Sequence, residues 1–138
     1  MEKAIGYFEL KVDDQVIPLK CGMYAVEQLC EVFDVDTDRI MSLFKSIPNP
    51  RKEGDFIPFP KNHIKFMAVA IWAGANCAAR LSGGKPYDLM VAYDWIDKLG
   101  INSEQVADYS KEFYFSVFTG KVRTEPWPEQ EAEKKSED

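Results

Sequence analysis

The stretch from Phe66 to Ala75, ten consecutive apolar residues, constrains this chain more than any other. It lies inside a helical pattern over residues 61–81, where Ile64, Met67, Ile71 and Trp72 provide bulk. Ala70, Ala73, Gly74, Cys77 and Ala78 form a second stripe of small side chains, on which a neighbouring helix can sit closely. A helix that is apolar nearly all round its middle has to be buried on several sides. Ten residues are too few for the roughly 20 that a bilayer crossing requires. The pattern therefore predicts a central core helix, stopped by Gly83-Gly84, and the rest of the chain has to cover it.

The flanking segments supply that cover. Phe8, Leu10 and Val12 alternate with Glu9 and Lys11, and Ile17 and Leu19 repeat the two-residue period after a turn at Asp13-Asp14-Gln15. This predicts a β-hairpin, with an open edge at Pro18, which has no N–H for a ladder. Met23, Val26, Leu29, Cys30 and Phe33 then recur at helical spacing. A second short helix is expected to carry Ile40, Leu43, Phe44 and Ile47, capped by Asp36 or Thr37 and stopped at Pro48-Asn49-Pro50. After the central helix, residues 87–99 place Leu89, Met90, Tyr93, Ile96 and Leu99 on one face before Gly100. Ser103 suits an N-cap for a last helix bearing Val106, Tyr109, Phe113 and Val117. The expected fold is α+β and mainly helical, an N-terminal hairpin packed on a bundle of about five helices. It forms one domain over residues 1–124 of the 138.

Two segments fall outside this pattern. Residues 48–60 contain four prolines and one glycine and surround the apolar run Phe56-Ile57-Pro58-Phe59-Pro60. Such a loop either folds back over the core, which its composition favours, or stands out as a docking segment through Phe56, Ile57 and Phe59. Residues 125–138 hold six acids and two lysines, with no aliphatic residue larger than alanine, and are expected to be a disordered acidic tail. Trp127, between Pro126 and Pro128, reads equally as a clamp onto the domain or a handle for a partner.

Residues that carry chemistry are sparse. A formal net charge of −6 argues against a general nucleic-acid footprint. Cys21, Cys30 and Cys77 show no paired spacing and read as reduced, buried thiols. His63 is the sole histidine and has no nucleophile or metal-ligand partner at a recognisable spacing. Asp34, Asp36 and Asp38 resemble the start of a calcium loop, but Arg39 and Lys45 occupy the positions that need glycine and glutamate. Ser82-Gly83-Gly84-Lys85 lacks the full phosphate-loop pattern. The reading is a non-enzymatic chain with no cofactor and no metal. Met1-Glu2-Lys3-Ala4 runs straight into a strand pattern without a secretory leader, so the chain is expected in the cytoplasm, without membrane attachment.

Phe8-Glu9-Leu10-Lys11-Val12, Ile17-Pro18-Leu19-Lys20-Cys21-Gly22-Met23 and Ala25-Val26-Glu27-Gln28-Leu29 resemble the opening of tail assembly chaperones of long-tailed bacteriophages. Phe66 to Gly74 is similar to their Leu-Leu-Trp-Ala-Gly type stretch, and Ile101 to Val106 to their Leu-Thr-x-Glu-Glu-Val pattern. The resemblance covers most of residues 5–119. It departs at Cys21, where an aromatic is common, and in the long proline-rich loop. It implies a protein that binds the tape measure protein, and in some cases the tail tube protein, before the tube polymerises. It also implies self-association, absence from the finished particle, and residence in the host cytoplasm. The alternative is a head-tail connector or minor tail protein that stays in the virion.

Overall fold

The computed structural model describes residues 6–124. The chain opens with β1 (Tyr7–Val12) and β2 (Gln15–Lys20), followed by α1 (Met23–Phe33) and a 3₁₀ helix (Thr37–Leu43). Next come β3 (Phe44–Pro48) and β4 (Phe56–Pro60), then α2 (His63–Leu81), α3 (Leu89–Leu99) and α4 (Glu104–Thr119). The α+β, mainly helical class is as expected. A second antiparallel hairpin, β3–β4, is not.

α2 is the axis of the molecule and is packed by α1, β2, α3 and α4. Every residue from Phe66 to Ala78 except half-buried Trp72 is buried. By length and composition the helix passes for a membrane span, at 19 residues and mean hydropathy 1.2, but 67% of that window is buried inside the protein. Its apolar surface is therefore already covered by protein. The stripe of small residues has a definite occupant, the Tyr109 ring of α4. A Cβ placed on Gly74 would overlap the Tyr109 hydroxyl and lie 2.9 Å from Cζ. That hydroxyl donates to the Ala70 carbonyl at 2.9 Å, so the buried phenol is satisfied.

The first hairpin lays Leu10, Val12, Ile17 and Leu19 into the core with 1% exposure or less. Cys21 N–H donates to Gly6 O at 2.7 Å, which marks Gly6 and Cys21 as a bonded pair just outside the register Tyr7–Lys20 to Val12–Gln15. Bonded and non-bonded pairs alternate in an antiparallel ladder. Glu9–Pro18 is thus a non-bonded pair, and Pro18 faces the open edge without loss of a ladder bond. On the other edge, the Gln105 side-chain amide accepts from Lys11 N–H at 2.7 Å and donates to Lys11 O at 3.1 Å. One side chain from the first turn of α4 thereby covers the outward backbone of β1.

Several local expectations are corrected. The second short helix does not reach Ile47. It is a 3₁₀ segment kinked at Arg39 (φ −112°, ψ 16°), with Asp36 at the N-cap position but making no side-chain bond. Phe44 and Ile47 belong instead to β3, because pairing with residues 56–60 outweighs the local helical spacing. Met90 and Ile64, expected in the core, are 69% and 58% exposed. On α3 the buried face runs through Ala92, Trp95 and Ile96, and on α2 Phe66 takes the central place. Ser103 caps α4 as expected, accepting from Val106 N–H at 3.3 Å.

Candidate partner-binding site

The proline-rich segment is neither a lid over the core nor structureless. β3 and β4 form an arm joined to the body at its base. Asn49 N–H donates to Asp55 O at 2.9 Å, and Lys61 N–H to Leu43 O at 2.9 Å, which identifies bonded pairs at both ends of the ladder. Alternation then makes Lys45–Phe59 and Ile47–Ile57 bonded, and Phe44–Pro60, Ser46–Pro58 and Pro48–Phe56 non-bonded. All three strand prolines fall on non-bonded pairs, where a missing N–H costs the ladder nothing. The fourth, Pro50, sits in the tip, where Asn49 Oδ1 accepts from Arg51 N–H at 2.9 Å and Gly54 takes a positive φ of 83°.

The same alternation separates the expected binding residues. Ile57 and Phe59 share one face of the arm with Lys45 and Ile47. Phe56 points to the other face, with Pro48 and Pro58. Phe56 is 63% exposed, Ile57 and Phe59 are half-buried, and Pro60 is buried at the base. The fourth expected residue, Trp127, lies outside the described residues, as does the whole acidic tail.

Each face of the arm runs into a different part of the body. On the Phe56 side, Phe44 at the base is 5.2 Å from Phe66, 6.0 Å from Tyr114 and 5.4 Å from Phe118, ring to ring. This aromatic cluster carries the core out to Phe118, which is 45% exposed. On the Phe59 side, the ring stands 4.7 Å from His63, the first residue of α2. Burial holds the His63 pKa below 6.5, which favours the neutral ring. His63 also lines an open concavity of about 700 Å³ with Asn62, Ile64, Lys65 and Tyr93.

Elsewhere the polar groups are engaged structurally. The three thiols are free and buried. Burial pushes Cys21 up to about 11, and Cys30 and Cys77 also upward, so at neutral pH they carry their protons and are poor nucleophiles. A cleft of about 370 Å³ beside β2 is lined largely by Tyr7, Pro18, Ala75, Ala78, Leu81 and Tyr87. Among the described residues, no group of three His, Cys, Asp or Glu side chains is placed to hold a metal ion.

One feature escaped the sequence reading altogether. Glu112, 1% exposed on the inner face of α4, accepts from Arg123 Nε and Nη2 at 2.6–3.1 Å. This fork ties the chain after α4 back against the helix. An acid one residue before Phe113, on the face that carries Val106 and Tyr109, was the available signal, although Arg123 sits eleven positions away.

No protein-family model matches this chain, nor does any curated protein or solved structure.

Proposed function

We propose that this chain is a non-catalytic tail assembly chaperone of the long-tailed phage type, which binds the tape measure protein in the host cytoplasm and leaves before the particle is finished. The resemblance of its short runs to that family supplies the identity of the partner. The observation that carries the binding part is the β3–β4 arm. A two-stranded hairpin is marginal in water unless something packs against it. This one bears apolar side chains on both faces, with Phe56 63% exposed. A partner with an apolar stripe covers that surface and is itself shielded from aggregation. Many weakly bound copies along one long client act together through multivalency.

The test is co-expression with a tape measure protein from the phage genome that encodes the chain. Co-purification is expected, and Phe56→Ser/Phe59→Ser should reduce it at least tenfold while the far-ultraviolet circular dichroism is unchanged. Unchanged capture by a folded double variant would remove the arm from the reading. Stoichiometric presence of the chain in purified virions would replace the chaperone with the retained connector or minor tail protein.

A further inference from the structure

The edges of the arm decide how a partner can be held. The non-bonded residues of β4 direct their backbone groups outward, and these are Phe56, Pro58 and Pro60. Two of the three have no N–H, so β4 presents a row of carbonyls with a single donor, at Phe56. On β3 the outward positions are Phe44, Ser46 and Pro48, and the one at the tip end is again proline. A strand added at either edge would leave ladder bonds unmade, so recognition falls to side chains.

The two side-chain faces differ in charge. Phe56, Pro48, Pro58 and Ser46 form an uncharged face. The opposite face sets Lys45 beside Ile47, Ile57 and Phe59, and it continues through His63 into the concavity of Asn62, Ile64, Lys65 and Tyr93. Lys61 lies between the strand and the helix. Residues 44–65 hold Lys45, Arg51, Lys52, Lys61 and Lys65 against Glu53 and Asp55, a basic stretch in a chain of net charge −6. Lys65 Nζ is held 4.8 Å over the Phe33 ring, which fixes one charge at the groove wall. Asp94, next to Tyr93, is paired with Lys98 at 3.3 Å. An apolar floor with a basic rim matches a ligand with an apolar stripe and acidic flanks. A helix presents both at once, through residues three and four apart.

We propose that the Ile47–Ile57–Phe59 face of the arm and the adjoining His63–Ile64–Tyr93 concavity together seat one acidic amphipathic α-helix of the partner protein. This rests on the protein-binding reading above and adds to it the face, the secondary structure and the charge of what is bound.

The experiment uses the full chain and three labelled designed peptides with the same apolar residues. One has Glu at its polar helical positions, one has Lys there, and one has the Glu pattern with a central proline that breaks the helix. Fluorescence anisotropy should show the Glu helix binding at least tenfold more tightly than the other two, with affinity falling as salt is raised. Amide shifts should centre on Ile57, Phe59, Ile64 and Tyr93. Ile64→Ser, at a position already 58% exposed and so safe for folding, should weaken binding about tenfold, whereas Val16→Ser on β2, 53% exposed and outside the proposed seat, should leave it within twofold. Equal binding of the Lys peptide, tighter binding of the proline peptide, shifts confined to the Phe56 face, or no binding by any peptide would overturn this inference. Co-purification of the tape measure product is scored separately, so the broader reading can survive that outcome.

Discussion

Gly74→Ala should destabilise the protein by about 3 kcal/mol, although it replaces a glycine inside a helix. On propensity alone the change favours folding by about 1 kcal/mol. The structure opposes it. The new Cβ would overlap the Tyr109 hydroxyl and stand 2.9 Å from Cζ and 3.3 Å from Cε1. Tyr109 is fully buried, so the ring cannot move away without disturbing its neighbours. Overpacking of this kind costs about 1–3 kcal/mol. A shifted ring also loses its 2.9 Å bond to Ala70 O and leaves a buried hydroxyl unsatisfied, about 1–3 kcal/mol more. The balance is about 1–5 kcal/mol, centred near 3. With an m-value of about 2 kcal/mol/M, the urea midpoint falls by about 1.5 M. Tyr109→Phe removes the overlapping oxygen, so in that background Gly74→Ala should cost at least about 1 kcal/mol less. A neutral or stabilising Gly74→Ala, or an equal cost in both backgrounds, would show that α4 does not rest on the small stripe of α2.

The Glu112–Arg123 fork and His63 give two further predictions. Arg123→Ala leaves a carboxylate at 1% exposure without its guanidinium and should cost about 3–5 kcal/mol in urea unfolding, whereas the pair Glu112→Gln/Arg123→Met should recover most of that loss. A loss below about 1 kcal/mol for Arg123→Ala would show that the fork does not hold the chain after α4 against the helix. For His63, the native fold favours the neutral ring, so the unfolded chain binds more protons between the lowered native pKa and 6.5. Stability should therefore rise with pH through that window and be insensitive to His63 above it. Phe59→Ala opens the ring to water and should move its titration, followed by proton NMR, back up towards 6.5; an unmoved midpoint would detach His63 from the arm.

The parts of this fold that were legible in the sequence are those whose signal is local and periodic. The alternation of Leu10, Val12, Ile17 and Leu19 gave the first hairpin, and Ser103 marked the start of α4. The alanine- and glycine-rich stripe of α2 announced a close neighbour, although not that Tyr109 would be the residue lying on Gly74. Legibility failed where long-range pairing outweighs local pattern. Phe44 and Ile47 fit a helical stripe, and nothing near them in sequence shows that they meet Pro60 and Ile57. Met90 and Ile64 sit near helix starts, where one face is not yet enclosed by neighbours. Glu112 and Arg123 were invisible as a pair because their contact depends on the chain turning back after Gly120.

The prolines of the arm show how the same residues can mislead in sequence and still specify the structure. Four in thirteen residues read as breakers, and a breaker implies a loop. In the ladder, Pro58 and Pro60 on β4 and Pro48 on β3 take positions that need no N–H, so the pattern is compatible with a hairpin and leaves bonds unmade on its extension, most of all along β4. For the protein-binding role proposed above, that distinction matters. A bare hairpin with Phe56, Ile57 and Phe59 on its faces and donors along its edges would pair with the next copy before it met a client. Removing two of the three outward donors of β4 and the tip-end donor of β3 weakens that route while leaving both faces available. The net charge of −6 adds repulsion between copies. In the proposed role, binding then falls to side chains, and its strength should depend on the apolar stripe and the charge of the partner.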